Sequence, residues 1–396
     1  MSKSPKLRFK EFSGDWEVST LNNIANITMG QSPIGESYNL DGDGIGLING
    51  PVEFTDKYPV VVQYTTKPTK YCYKDDILFC VRGSSIGRMN ISDSTYCIGR
   101  GVAAINAKEG KSTTNYIYSL LQSKLDALLN FSNGSTFPNI SSEEIKKYSF
   151  KVPSLEEQEK IASFFSLIDD KISLQGEKVE ALKDYKKGMM QKIFSRELRF
   201  KDDEGRDYPE WEEKKLSEVS DVRDGTHDSP KYVESGYRFI TSKNLSSNGK
   251  IDFSDISYIS EEDYININKR SKVDIGDILF GMIGTIGNPV LVEESEFAIK
   301  NVALIKEKDD LLNKYLIQVL NSSIISRQFY TLNSGGTQKF IALGVIRDLV
   351  IPVPNREEQI KIANFLCNLD KRIDKEQEKL DSLNEYKKGL LQQMFV

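Results

Sequence analysis

The chain has 396 residues with a formal net charge of −5, and 39% hydrophobic, 28% charged and 10% aromatic residues exclude a disordered or collagen-like polymer and allow more than one core. Four scattered cysteines without a C-x-x-C pair, and one histidine (His227), argue against a Cys/His zinc site and a disulfide framework. No apolar run reaches the roughly 18–20 residues of a membrane span and the start is charged rather than signal-like, so the expected compartment is the cytoplasm, with no membrane partner.

Residues 1–152 open on Leu7-Arg8-Phe9-Lys10. They then mix short runs rich in Val, Ile, Tyr and Phe (58–64, 76–81, 102–105) with Gly, Asn, Ser and Pro turns and a predicted helix over 115–129. This pattern predicts a compact α+β domain. Residues 153–195 read differently: Ser154-Leu155-Glu156-Glu157, just after Pro153, has the spacing of a capping box and starts a predicted helix of about 40 residues. Residues 196–352 return to the first pattern. Residues 353–396 return to the second, with Asn355 and Glu358 after Pro354 repeating the helix start.

The chain is therefore one unit written twice. Pro153 to Phe194 recurs as Pro354 to Phe395 without a gap and with 19 identical positions, and Leu7-Arg8-Phe9-Lys10, Trp16 and Leu21 answer Leu198-Arg199-Phe200-Lys201, Trp211 and Leu216. Asp76-Ile77-Leu78-Phe79 likewise answers Asp277-Ile278-Leu279-Phe280.

Each long helix carries a 3.5-residue apolar period. Ile161, Phe165, Ile168, Ile172, Val179, Leu182 and Met189 form the seam of the first; Ile362, Leu366, Leu369, Ile373, Leu380, Leu383 and Leu390 form that of the second. Polar breaks fall at matching places. A helix of that length extends roughly 60 Å and needs an equally long partner. The Leu-Arg-Phe motif follows the first helix and also opens the chain, so the order of parts is cyclic. This predicts a pseudo-two-fold pair of antiparallel helices forming a coiled coil that separates two similar α+β domains. The alternatives are helices packed only on their own domains, or zipped to a second molecule.

The doubled L-R-F-K...W...L pattern, the Gly-Asp-Ile-Leu-Phe strand with its following glycines, Asp224-Gly225-Thr226-His227-Asp228-Ser229-Pro230, the Pro-x-x-x-Glu-Gln-x-x-Ile-Ala helix start and the Tyr-Lys-Lys-Gly-x-x-Gln helix end together resemble the specificity subunits of type I restriction-modification systems. The resemblance covers the whole chain. It implies that residues 1–152 and 196–352 are target-recognition domains, each reading half of a bipartite double-stranded DNA sequence, with the paired helices fixing the spacer. It further implies two modification (methyltransferase) subunits docked on the chain, restriction subunits in the full complex, no cofactor in this chain, and S-adenosylmethionine, ATP and magnesium on the partners.

Candidate DNA contacts follow from the contrast between the two copies. Arg82-Gly83-Ser84-Ser85-Ile86-Gly87-Arg88 stands where the second copy has Ile283-Gly284-Thr285-Ile286-Gly287-Asn288. Glycines allow close backbone approach to phosphate, and Arg and Asn can pair bidentately with guanine and adenine edges. Arg82, Gly83, Ser84, Ser85, Arg88 and Arg100 are the candidates in the first domain, and Thr285, Asn288 and Lys300 in the second; the plain alternative is a tight turn. Ser135 and Thr136, with Thr337, Gln338 and Lys339, suit phosphate positioning. Thr226, His227 and Ser229 complete the set, and the first domain's shorter loop Gly30-Gln31-Ser32-Pro33 implies a different half-site.

Catalysis is expected from partners. Gly83-Ser84-Ser85-Ile86-Gly87 formally fits a nucleophile elbow, but the only histidine lies in the other half and the second copy has no serine there; there is also no phosphate-binding G-x-x-x-x-G-K-[ST] loop. Asp41-Gly42-Asp43-Gly44 would place Val52 where a calcium loop needs glutamate. The awkward quantity is charge: residues 196–352 hold 21 Lys and Arg against 27 Asp and Glu. A DNA reader of that kind needs its cations gathered on one face and its partners to neutralise phosphate, so the isolated chain is expected to bind DNA poorly. A non-catalytic protein-binding scaffold with two adaptor domains on a coiled-coil spacer is the rival reading.

Overall fold

The computed structural model describes residues 4–131, 139–308, 310–332 and 340–396. Two compact units emerge, one formed by residues 1–177 with 378–396 and the other by residues 178–377.

In the first unit an antiparallel sheet has the order Ala25–Met29, Val102–Ala107, Ile77–Cys80, Met89–Ile91. The second repeats it with Asp221–Asp224, Val302–Lys306, Ile278–Gly281 and Gly287–Leu291. These central strands read as unbroken apolar runs because both faces are covered. Ile77 and Phe79 enter the core under the helix Thr114–Ser123 and the long-helix ends, while Leu78 and Cys80 enter a core beneath a second sheet. Ile278 and Phe280 face the equivalent helix side, and Leu279 faces the other. At roughly 1.5–3 kcal/mol for each fully buried large apolar side chain, this double coverage fixes the sheet ends from which the recognition loops leave. The second sheets also correspond: Ile45–Ile48 runs parallel to Tyr96–Ile98, and Tyr237–Thr241 runs parallel to Phe297–Lys300.

Two expected elements differ. The helix predicted over 115–129 is two helices, Thr114–Ser123 and Leu125–Phe131, broken at Lys124. The break places the Leu125 side chain against Gly87, where a Cβ would collide with it. The apolar run 58–64 is not a strand: Pro59 makes only an isolated bridge to Phe54, Val60 and Val62 are exposed, and pairing starts at Tyr64.

The long helices are Leu155–Phe194 and Arg356–Met394. Inside each unit a stretch of one lies beside a stretch of the other in the opposite sense. In the first unit Phe165 packs against Phe395 with ring centroids 5.9 Å apart and Asp169 pairs with Lys387 at 2.5 Å. In the second, Lys178 pairs with Glu376 at 3.0 Å and Lys186 with Asp370 at 2.5 Å. All the apolar heptad positions are buried or half-buried, and the polar breaks at Lys186 and Lys387 are repeat-equivalent lysines answered by repeat-equivalent aspartates. A charge inside an apolar seam favours the one register in which it meets its counter-ion.

The helix starts explain the repeated motifs. Ser154 and Asn355 accept from the amides of Glu157 (3.4 Å) and Glu358 (2.9 Å), half of the expected capping box. The glutamates do not complete it. Glu157 instead receives Arg8 at 2.8 and 2.7 Å, and Glu358 receives Arg199 at 3.3 and 2.9 Å together with Trp211 Nε1 at 2.9 Å. Both carboxylates are buried, and side-chain hydrogen bonding to them raises the pKa of both arginines. The neighbouring glutamines tie the same turn to the domain, Gln158 to Pro153 O and Ser112, Gln359 to Pro354 O and the Leu312 amide. The Leu7 amide donates to Gln393 O at 3.0 Å, as Leu198 donates to the equivalent Lys192 O at 3.0 Å. The chain start thus occupies, after the second helix, the place that Leu198 occupies after the first.

Candidate nucleic-acid interface

Strand register brings three connections to one end of the four-stranded sheet in each unit. Met29 lies opposite Ala103 and Cys80 opposite Val102, so the segments 30–33, 82–88 and 99–101 share that end. Asp224 opposite Ala303, and Gly281 opposite Val302, do the same for 225–230, 282–288 and 300–301.

The loop leaving the first strand is held identically in both. Gly30 donates to Val102 O (2.9 Å) and Gln31 to Ile98 O (3.0 Å); Gly225 donates to Val302 O (3.0 Å) and Thr226 to Ile299 O (3.0 Å). Glycine is required by this close approach, because a Cβ on Gly30 or Gly225 would strike the carbonyl oxygen of Gly99 or Ile299. Gly225→Ala is expected to displace the loop and cost about 1–3 kcal/mol, seen as a lowered Tm; an unchanged Tm would contradict this close packing.

Across this junction a cation meets a serine. Arg100 donates from its amide (3.3 Å) and Nε (3.2 Å) to Ser32 Oγ, and Lys300 Nζ donates to Ser229 Oγ at 2.6 Å. Arg100 keeps both Nη groups without a partner among the described residues, and exposed Arg82 keeps its whole guanidinium so. Ser84 is exposed beside it, on the short turn Gly83–Ser85.

Two candidates behave otherwise. Arg88 gives its Nη groups to Phe54 O (2.9 Å) and Pro51 O (3.3 Å), and Asn288 gives Nδ2 to Leu245 O (2.9 Å). These repeat-equivalent side chains brace a neighbouring loop. Thr226 Oγ1 accepts from the Asp228 amide at 3.1 Å, a local turn bond, and Thr285 is half-buried. Ser135, Thr136, Thr337, Gln338 and Lys339 lie outside the described residues.

The second unit adds a cluster that spacing alone does not reveal. Buried Asp224 takes Arg270, from the helix Glu261–Ser271, on one oxygen and His227 Nε2, at 2.8 Å, on the other. His227 Nδ1 meets Asn301 Oδ1 at 3.0 Å. Both ring nitrogens face oxygens, and only the imidazolium can donate to both, so hydrogen bonding to Asn301 and then Asp224 raises the His227 pKa. The signal for Asn301 in the sequence is a contrast: Lys300-Asn301 stands where the first copy has Gly99-Arg100-Gly101. The signal for Ser32 is the Ser-Pro dipeptide common to both loops.

The type I restriction modification DNA specificity domain model matches residues 13–184 and again 208–385. The MjaVIII type I restriction enzyme specificity subunit of Methanocaldococcus jannaschii is 26% identical over 97% of this chain and 94% of its own length. A second protein of that organism, carrying the name MjaX specificity subunit, is 34% identical over 50% of this chain, an alignment spanning 46% of that relative. The crystal structure of a type I restriction-modification S subunit from M. genitalium shares the fold, with a TM-score of 0.64, 18% identity and 99% of each chain covered. The chain belongs to the type I restriction-modification DNA specificity family, which replaces the protein-scaffold reading.

Proposed function

We propose that the chain recognises a bipartite sequence in double-stranded DNA, each half-site being read by the sheet-end loops of one recognition domain, residues 1–152 and 196–352. Residues 153–195 and 353–396 serve as the spacer. The observation that carries this reading is the doubled cation-serine junction, Arg100 on Ser32 and Lys300 on Ser229, built on one scaffold with different surrounding side chains. A shared frame with changed decoration is what two half-sites of different sequence require.

In this reading the chain supplies address, not chemistry. Methyl transfer belongs to two modification subunits and cleavage to restriction subunits, which hold S-adenosylmethionine, ATP and magnesium, and the complex works in the cytoplasm. Among the described residues no helix is long and apolar enough to cross a membrane, and no group of three metal-ligating side chains occurs. Arg82, Arg100, Lys300, Gly83, Ser84, Ser85, Thr226, Ser229 and Thr285 line the proposed surface.

Arg100→Ala and Lys300→Ala test it in the complex with modification subunits. Each is expected to weaken binding of the cognate duplex and to reduce the slope of log K against log salt by roughly one for each phosphate that is no longer neutralised. Unchanged affinity and slope in both variants would remove this surface from the DNA.

A further inference from the structure

Asn301 occupies the connection between Phe297–Lys300 and Val302–Lys306 with φ of 55°, a left-handed conformation that glycine adopts freely and asparagine tolerates. Its backbone is held on both sides: the amide donates to Thr226 O at 3.3 Å, and the carbonyl accepts from buried Ser242 Oγ at 3.0 Å. Ser242 Oγ in turn accepts from the amides of Met282 (3.2 Å) and Ile283 (3.4 Å), joining this turn to the 282–288 loop. The side-chain Oδ1 is fixed by His227 Nδ1. No described residue takes a hydrogen bond from Nδ2. The first domain has a connection one residue longer here, Gly99-Arg100-Gly101, and offers no amide side chain before the next strand.

We propose that Asn301 is a base-reading residue of the second recognition domain and that His227 is the positioning residue that orients its amide. The inference rests on the assignment of the sheet end to DNA. With one lone pair of Oδ1 given to His227, the amide retains two Nδ2 donors and the second Oδ1 lone pair. That donor-acceptor pair matches N7 and N6 of adenine in the major groove. His227 is itself held from the opposite side by Asp224, whose other oxygen is occupied by Arg270, so Asp224 and Arg270 are the charged groups facing the ring. His227 Nδ1–H keeps Oδ1 from rotating away; the neutral ring can supply that proton only by giving up its bond to Asp224. The orientation is therefore fully supported below the ordinary histidine value of 6.5 and is lost as pH rises through the raised pKa.

The test uses the chain assembled with its modification subunits, after the wild-type target has been read from the pattern of methylated adenines. Competition binding against duplexes carrying every single-base change then gives discrimination by position. Asn301→Gly is the informative variant, because glycine keeps the backbone at φ of 55° without strain. It is expected to lose roughly 5- to 150-fold discrimination at one A·T pair of one half-site, leaving the other half-site intact. Retained discrimination everywhere, or uniform weakening with no positional preference, overturns the proposal. Wild-type cognate binding should weaken with rising pH above 6.5, and His227→Gln should flatten that profile; a wild-type slope in His227→Gln removes the positioning role. If Lys300→Ala weakens binding while Asn301→Gly changes no position, only this inference fails. If Arg100→Ala and Lys300→Ala also leave binding untouched, the DNA surface fails with it.

Discussion

Glu358→Ala is expected to destabilise the second unit by about 3–5 kcal/mol, measured as a lowered midpoint of chemical unfolding. The carboxylate is fully buried, and its loss leaves the buried Trp211 N–H without an acceptor and takes from Arg199 its buried counter-ion, leaving that guanidinium only exposed Glu210 and the Tyr208 and Pro209 carbonyls. The repeat supplies an internal control. Glu157→Ala removes only the counter-ion of Arg8, which keeps the Ser13 and Gly14 carbonyls, and strands no indole, since buried Trp16 Nε1 already lacks a partner among the described residues, so it should cost about 1–2 kcal/mol less. Equal losses in the two variants would mean that the indole bond contributes nothing. Either loss would be a large fraction of the roughly 5–15 kcal/mol by which a typical domain is stable.

The second large expectation concerns the helices. Removing one heptad between Asp169 and Lys186, together with the equivalent heptad between Asp370 and Lys387, keeps both Lys-Asp pairs in register. If the helices set the spacing of the half-sites, seven residues at 1.5 Å shorten it by about 10 Å, or roughly three base pairs at 3.4 Å each. Methylated sites should then show both half-sites unchanged and the gap between them reduced. A gap of the original length would rule out the spacer role. Removing a heptad from only one helix breaks one ion pair and misaligns the seam, so a poorly folded chain is expected instead.

Much of this architecture is legible because it is periodic. A 3.5-residue apolar repeat, written twice and interrupted at the same lysines, prescribes a helix pair and its register almost without reference to the rest of the chain. The double-faced apolar strands are legible for a different reason, as short unbroken apolar runs bounded by turn residues. The part that escapes depends on which long-range partner wins. Glu157 and Glu358 have the spacing of a capping box, yet arginines some 150 residues away in sequence outcompete the local amide, because a bidentate charged pair is stronger than a second cap bond. Arg88 and Asn288 differ in a way that suggests reading, and spacing does not disclose that they also bind backbone carbonyls of a neighbouring loop, Pro51 and Phe54 for Arg88 and Leu245 for Asn288. Asn301 stays hidden because its importance lies in φ and in a histidine 74 residues earlier, neither of which spacing discloses.

The central strands serve two cores at once, Ile77 and Phe79 on one side and Leu78 and Cys80 on the other. Inserting a single residue there would exchange the inward sets of both cores together, so such a lesion has no cheap repair. Insertions and deletions are tolerated only beyond the strand ends, and the two copies have diverged in length there: four residues in Gly30-Gln31-Ser32-Pro33 against six in Gly225-Thr226-His227-Asp228-Ser229-Pro230. The geometry that makes the sheet unforgiving thus channels evolutionary drift into its rim, where new preferences can arise without refolding the protein.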